Sequence, residues 1–363
     1  MRPVNEGRVA AQQRWFLCKS FSDVIVMSPN NQLNSQPSAT TTDSGARLLA
    51  DVGGTNARFA WQEGPGAALL DTQLLHVSDF PRIQDAIHHY LSGRGHHTPE
   101  SMAIAIANPI TGDWVHMTNA HWSFSQAALK AEFGVHTFRL LNDFTALALA
   151  LPDLPANQLR QVGGISPAPR APIALIGAGT GLGVSGLIPV GDAGWVPLSG
   201  EGGHVTLPAI TARERLVMDG LAQRYGHASA ERLVCGQGLF DTFGLLCHAD
   251  GVASGAIHDA AGVTEAALKT HHPQAVEALT MFCAVLGTVA GNLALSLGAH
   301  GGVYVGGGIV PRLGAWFDSS PFRERFEAKG RFKQYLAGIP VWVITSEQSP
   351  ALLGAARSLD ALN

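Results

Sequence analysis

Two strand–turn–strand segments built around glycine constrain this chain more than any other feature of its sequence. The first, RLLADVGGTNARFAW, covers Arg47–Trp61: an apolar run breaks at Asp51, crosses a small polar turn and resumes as a second apolar run. The second, PIALIGAGTGLGVSGLIPV, repeats that order over residues 172–190. Each segment predicts a β-hairpin with a tight turn.

The elements that follow each hairpin come in a similar order, which predicts a duplicated α/β domain around a cleft. In the first half, three strands are followed by alternating helices and strands; the predicted elements span 47–52, 57–63, 69–77, 82–93, 101–107, 124–134, 137–141 and 142–152. In the second half, three strands precede a helix-rich stretch broken at 271–274, two further strands and a closing helix; these span 172–179, 181–190, 194–202, 211–298, 301–307, 340–346 and 350–362.

Composition excludes several classes of protein. Charged residues are only 14% and the net charge is −4, so the chain has no basic surface of the kind that binds nucleic acid. The four cysteines form no CxxC pair, which favours reduced thiols and a cytoplasmic location. No stretch reaches the ~18 apolar residues of a membrane span, and the N-terminus lacks a clean signal-peptide apolar core. Residues 28–46 are polar and nearly uncharged, so we expect a disordered tail over 1–45; Met27 is an alternative start.

The first turn contains residues that a hairpin alone does not require. Positive φ would explain Gly53 and Gly54, but it does not explain Asp51 or Thr55. Glycine lets main-chain N–H groups approach an anion closely, and a threonine hydroxyl adds a donor, so phosphate binding is the alternative interpretation. Asp51 has the wrong charge for phosphate unless Mg²⁺ or a water lies between them.

The second turn, Gly177–Gly183, strengthens the phosphate interpretation. A strand rather than a helix follows it, which argues against a dinucleotide-binding fingerprint, and the chain has no GxxxxGK[ST] segment. Two such turns facing each other across a cleft would hold the phosphates of a nucleotide from both sides. A third glycine cluster, Gly306–Gly308, would either accept an adenine ring or form a simple strand-to-helix turn.

Several polar side chains near these turns have both a structural and a chemical interpretation. Asn142 and Asp143 follow a strand and would cap a helix, or supply the carboxylate that phosphoryl transfer to an alcohol needs. Glu201 and His204 lie in a glycine-rich loop and would be solvated, or would recognise hydroxyl groups. Glu231 would be a cap or a solvated acid.

Six segments resemble the bacterial glucokinase family: LLADVGGTNARFA, LLNDFTALALALP, GAGTGLGVSGLIP, PLSGEGGHVTLP, AERLVCGQGL and GGVYVGGGIVPRL. This resemblance runs from about Arg47 to the C-terminus. It implies the two-domain actin-like (ribonuclease H-like) ATPase fold and ATP-dependent phosphorylation of D-glucose at its 6-hydroxyl, with Mg²⁺. It also implies a homodimer, a small domain over 46–152 plus 347–363, and a large domain over 153–346.

The resemblance also implies the roles of individual residues. Asp143 corresponds to the catalytic base, and it contacts glucose together with Asn142, Glu201, His204 and Glu231. The positions that correspond to the ATP site are Ala50, Asp51, Val52, Gly53, Gly54, Thr55, Gly179, Thr180, Gly181 and Gly307. No protein side chain is assigned as a metal ligand.

Two alternatives remain at this point. One is a kinase for another hexose or an amino sugar. The other is a sugar-sensing regulator on the same scaffold, although the N-terminal tail has no helix-turn-helix pattern or basic run. The cysteine-rich zinc motif of ROK-type sugar kinases is absent, which argues against those kinases and their allied repressors.

Overall fold

A computed structural model describes residues 45–96, 98–346 and 349–360. Its strands are β1 Arg47–Val52, β2 Asn56–Gln62, β3 Leu70–His76, β4 Ser101–Ile106, β5 Trp114–His116, β6 Ser123–Ser125, β7 Thr137–Asn142, β8 Leu159–Gln161, β9 Ile173–Ala178, β10 Leu182–Val190, β11 Gly194–Ser199, β12 Val303–Gly306 and β13 Val341–Ile344.

The α-helices are α1 Ile83–Arg94, α2 Gln126–Phe133, α3 Asp143–Ala150, α4 Ala212–Tyr225, α5 Ala230–Leu233, α6 Gly236–Asp250, α7 Ala260–Glu265, α8 Pro273–Leu297, α9 Val310–Leu313, α10 Ala315–Ser319, α11 Phe322–Glu327, α12 Lys333–Gly338 and α13 Ala351–Asp360. The predicted tail over 1–45 lies outside the described residues apart from Gly45.

Two sheets with matching strand order confirm the predicted duplication. The first has the order β3-β2-β1-β4-β7, and the second has the order β11-β10-β9-β12-β13-β8. In each sheet the first three strands form an antiparallel meander, and two later strands run parallel to the first one. The second sheet carries β8 as an additional antiparallel edge strand.

The parallel strands of each sheet end at one edge, where ligands of α/β sheets usually bind. In the first sheet Val52, Ile106 and Asn142 lie side by side at the ends of β1, β4 and β7. In the second sheet Gly177 and Gly306 are neighbours near the ends of β9 and β12. Both glycine turns therefore project from such an edge.

Helix α8 forms the middle of the larger core and corrects one prediction. By length and composition it is apolar enough to cross a membrane, whereas we expected no stretch of ~18 apolar residues in this sequence. Within its most apolar 18-residue stretch, 78% is buried inside the protein. That burial is typical of the core helix of a globular protein. The break predicted at 271–274 is confirmed, because His271 has a φ of 54° and α8 begins at Pro273.

The C-terminal helix α13 covers one face of the first sheet. Its Leu352 and Ala355 pack with Leu49 of β1 and Ala103 of β4. Its Gly354 lies directly on the main chain of α3, where any Cβ would overlap the carbonyl oxygen of Ala146. The described residues belong to one compact unit, and the boundary between a small and a large domain stays a prediction.

Candidate active site

The first glycine turn joins β1 to β2, as predicted, but positive φ is not what it requires. Neither Gly53 nor Gly54 is in the left-handed region, which corrects the expected reason for both glycines. Gly53 N–H donates to the carbonyl of Asn56 at 2.9 Å, and a Cβ at Gly53 would make only ordinary contact. A Cβ at Gly54 would lie 2.5 Å from the carbonyl oxygen of Asn119. Gly54 is therefore required by a close main-chain approach.

Within β1, the residues around Asp51 are held firmly. The Ala50 and Val52 side chains are fully buried, whereas Thr55 in the turn is exposed. The Asp51 side chain is 13% exposed and its Oδ2 lies 3.6 Å from the guanidinium of Arg58. Burial raises the pKa of Asp51, while a hydrogen bond from Ser349 and the charge of Arg58 oppose that rise.

Asn142 and Asp143 both take part in the start of α3. The Asn142 side chain caps the helix, because its Oδ1 accepts the N–H groups of Phe144 at 3.0 Å and Thr145 at 3.3 Å. Asp143 Oδ1 also accepts the Phe144 N–H, at 2.9 Å. The structural interpretation of Asn142 is thus confirmed, and capping leaves the second carboxylate oxygen of Asp143 for other chemistry.

The environment of Asp143 suits a general base. Burial raises its pKa to about 6, and the negative charge of Asp51 adds to the rise. Hydrogen bonds from the Phe144 amide and the Asn142 side chain act in the opposite direction. A carboxyl group with a pKa near 6 is mostly ionised at neutral pH and is a much stronger proton acceptor than an ordinary aspartate. The fold also brings Asp51 of β1 close enough to Asp143 to interact, although Asp143 begins α3 directly after β7, and β4 lies between β1 and β7.

The second glycine turn joins β9 to β10, and the structure connects it to Glu231. Gly179 N–H donates across the turn to the carbonyl of Gly181 at 2.8 Å. Glu231, in the short helix α5, accepts the Leu182 N–H with Oε2 at 2.9 Å. A Cβ at Gly181 would lie 2.5 Å from that oxygen, so glycine there leaves room for the carboxylate. Thr180 is exposed at the tip, and nothing lies within 4 Å of a Cβ at Gly179.

The loop with Glu201 and His204 lies against the same turn. A Cβ at Gly203 would overlap the Leu182 carbonyl oxygen, so the loop contacts β10 with its main chain. Glu201 Oε2 and His204 Nε2 are 4.0 Å apart, and their side chains are 62% and 59% exposed. Both polar ends are therefore accessible to a small ligand.

Gly307 follows β12, and this position requires glycine for two reasons. Its φ is 80°, and a Cβ there would overlap the carbonyl oxygen of Ala178. The predicted third cluster thus includes a strand-to-helix turn, since α9 begins at Val310. Whether it also accepts an adenine ring stays a prediction.

Contiguous contacts bring the predicted residues of both halves together. The hydroxyls of Thr145 in α3 and Ser199 in β11 are 3.3 Å apart, which connects the Asp143 helix to the strand just before Glu201. Sequence analysis missed Ser349, which hydrogen-bonds Asp51, and Phe144, which packs on the second hairpin. Both contacts join distant parts of the chain and have no local pattern that would reveal them.

Comparisons with known proteins point in one direction. A family model described as Glucokinase matches residues 48–362. The glucokinase of Chromobacterium violaceum is 51% identical over 313 residues, which cover 86% of this chain and 89% of that protein. A crystal structure of a glucokinase from an Antarctic psychrotroph has a TM-score of 0.79 and 34% identity, covering 87% of this chain and 99% of that one. A ROK family glucokinase from Streptomyces griseus, solved with glucose and AMPPNP, shares the fold, with a TM-score of 0.56 and 20% identity, covering 87% of this chain and 99% of that one.

Proposed function

Because this chain belongs to the glucokinase family and is a hexose kinase with the actin-like ATPase fold, we propose that it transfers the γ-phosphoryl group of ATP to the 6-hydroxyl of D-glucose. The product would be glucose 6-phosphate, which feeds glycolysis. The observation that carries the proposal is the environment of Asp143: its partly buried carboxylate interacts with Asp51 of the first hairpin, and the next residue, Phe144, packs on the second hairpin.

Asp143 is the proposed base. The 6-hydroxyl must lose its proton as its oxygen attacks phosphorus, and a carboxylate with a pKa of about 6 accepts that proton readily while staying ionised at neutral pH. The Phe144 amide and the Asn142 side chain hold the carboxylate from one side. Fixing the acceptor in this way removes rotational freedom that the reaction would otherwise have to restrict.

Glucose recognition is proposed for Asn142, Glu201, His204 and Glu231, in addition to Asp143. Carboxylates accept sugar hydroxyl hydrogens, while an amide or imidazole can donate as well as accept. Glu201 and His204 are largely exposed, so binding of the sugar would bury groups that are now in water. A sugar whose hydroxyls point elsewhere would leave these groups unpaired, which gives specificity.

ATP is proposed to bind with its phosphates at the two turns. Gly54 and Thr55 in the first turn, and Thr180 and Gly181 in the second, would offer main-chain N–H groups and two hydroxyls. The N–H groups of Gly53 and Gly179 close the turns themselves, and these two glycines would let the phosphates approach the bare main chain. Ala50 and Val52 are buried and would hold the first turn in place. Gly307 would lie towards the adenine ring of ATP. Mg²⁺ would enter as the ATP complex and neutralise phosphate charge, with Asp51 the carboxylate best suited to face it.

We further propose a cytoplasmic homodimer. The cytoplasmic location is supported by Cys235, Cys247 and Cys283, which are free and buried. The homodimer is an expectation of the family. Size-exclusion chromatography with light scattering measures the oligomeric state directly, and a monomer at micromolar concentration would contradict it.

A substrate panel tests the proposed reaction. Purified protein with ATP and Mg²⁺ is given glucose, mannose, fructose, glucosamine or N-acetylglucosamine, and ADP release is measured with a coupled assay. We expect the highest kcat/KM for glucose, with product oxidised by glucose-6-phosphate dehydrogenase. A higher kcat/KM for another hexose or an amino sugar would favour that kinase, and binding without turnover would favour a sugar-sensing regulator.

A further inference from the structure

Three glycines form a flat row across the second sheet. Gly183 of β10 pairs with Gly177 of β9, and Gly177 pairs with Gly306 of β12. The row lies next to the turn that contains Gly179, with Gly177 before the turn and Gly183 after it, and Gly307 directly follows Gly306. Because glycine has no side chain, the sheet has a shallow trough at this place.

The first turn of α3 fills this trough with the ring of Phe144. A Cβ at Gly183 would overlap the ring, and one at Gly177 would lie 2.8 Å from its Cζ. One turn along α3, Leu147 covers Gly306, whose Cβ would be 3.2 Å from Leu147 Cδ2. The close approach of α3 to the phosphate hairpin therefore depends on these glycines.

Phe144 also holds the proposed base. Its N–H donates to Asp143 Oδ1 at 2.9 Å and to Asn142 Oδ1 at 3.0 Å. A single residue thus touches the catalytic carboxylate with its main chain and the phosphate hairpin with its ring. The position of the Asp143 carboxylate relative to the second hairpin is therefore set through one residue.

We propose that Phe144 is a positioning residue, whose ring, seated on Gly177 and Gly183, fixes the Asp143 carboxylate relative to the second phosphate turn. This inference rests on the proposed kinase reaction. Phe144 contacts neither substrate in it; it acts through Asp143. A displacement of about 1 Å between reacting groups can lower a rate about 100-fold.

The expected signature is a loss of kcat with little change in KM. In Phe144→Leu and Phe144→Ala the ring leaves the trough, so α3 can shift against the hairpin while the helix cap at Asn142 persists. We expect kcat to fall about 10-fold in the leucine variant and about 100-fold in the alanine variant. KM for glucose and for ATP should change less than about threefold, because Glu201, His204 and Glu231 lie on other elements.

A reciprocal variant tests the contact from the other side. Gly183→Ala inserts a methyl group where the ring lies, so kcat should fall about 10-fold. In the double variant Gly183→Ala/Phe144→Leu the smaller side chain leaves space for the methyl group. Its kcat should therefore be no lower than that of Gly183→Ala alone, instead of the roughly 100-fold loss that independent effects would multiply to.

Phe138→Leu is the matched control. Phe138 lies on β7, six residues before Phe144. It packs against the hydrophobic core of the first sheet that contains Phe59 and Met102, and not against the second hairpin. This substitution should lower the melting temperature but leave kcat per folded active site unchanged. The number of folded active sites is measured from product formation in a single turnover.

The outcomes separate this inference from the proposed function. If the wild type does not phosphorylate glucose, the proposed function fails and takes this inference with it. If the wild type is active and Phe144→Leu keeps its full kcat, or if the two single losses simply multiply in the double variant, Phe144 is a packing residue only.

Discussion

Replacing Asp143 with asparagine tests two effects of this carboxylate separately: its effect on the free energy of unfolding and its effect on kcat. Asparagine has nearly the same shape, and its Oδ1 can still accept the Phe144 N–H. Burial raises the carboxyl pKa from 3.8 to about 6. At about 1.4 kcal/mol per pH unit, keeping the group ionised at pH 7.5 lowers the free energy of unfolding by roughly 3 kcal/mol. Burying the asparagine amide offsets part of this, so we expect Asp143→Asn to be about 1–3 kcal/mol more stable than wild type.

The gain in stability should depend on pH in a defined direction. The folded protein holds the Asp143 proton more tightly than the unfolded chain does, so wild-type stability falls as pH rises from about 4 to about 6. Asparagine has no such proton. The difference between variant and wild type should therefore be small near pH 4 and complete above pH 6. For a domain of this size it corresponds to an increase in melting temperature of roughly 2–6 °C at pH 7.5.

Turnover should change in the opposite sense. Loss of a general base typically lowers kcat about 10²–10⁴-fold, while glucose affinity, measured by calorimetry, should stay within a few-fold. Asp192→Asn, at the exposed turn between β10 and β11, is the control for loss of one negative charge and should change neither quantity. A variant that kept most of its kcat would refute the base assignment. An unchanged melting temperature at pH 7.5 would refute the burial argument.

The remaining predictions concern the two turns and the helix packed behind them. Gly53→Ala and Gly179→Ala should fold normally, since neither Cβ meets a close contact, and should raise KM for ATP at least threefold more than KM for glucose; equal changes in both would argue against a phosphate clamp. Glu231→Ala should raise both KM values, because it also removes the acceptor of the Leu182 N–H that holds the main chain of the second turn; an unchanged KM for ATP would mean that the bond to the turn is dispensable. Gly354→Ala should lower the free energy of unfolding by about 1–3 kcal/mol, because its methyl group overlaps Ala146, and a melting curve like that of wild type would contradict this packing. The wild-type kcat should fall below about pH 6 as Asp143 gains a proton, and a flat profile down to pH 5 would contradict the pKa.

The long periodic elements could be predicted from sequence, because their patterns are local. The predicted bounds agree within a few residues for the three strands of each meander, for helix α1 and for the end of α2, which Gly134 caps. The small hairpin of β5 and β6 was missed, and so was the edge strand β8. Each of these strands has three residues, too few to show an alternating pattern.

The individual residues of the candidate site could be predicted from the sequence, but the contacts between them could not. The family resemblance pointed to Asp143 and Glu231, and the structure adds that Glu231 holds the second turn. The neighbourhood of Asp51 and Asp143 follows from the parallel order of β1, β4 and β7, which a strand list alone does not specify. The hydrogen bond from Ser349 depends on where the C-terminal segment folds back, which no local pattern indicates.

The glycines of the second hairpin are the residues whose individual roles were hardest to predict from sequence. The sequence pattern of Gly177–Gly183 predicts phosphate binding for the turn as a whole, whereas the space around each glycine distinguishes their roles. Gly179 faces open space, Gly181 leaves room for the Glu231 carboxylate, and Gly177 and Gly183 receive the ring of Phe144. Substitutions within one short motif should therefore have different effects: weaker ATP binding at Gly179, but displacement of α3 at Gly183. One hairpin can serve both as the proposed phosphate clamp and as the packing surface for α3, because glycine leaves bare main chain at the turn and a flat face on the paired strands beside it.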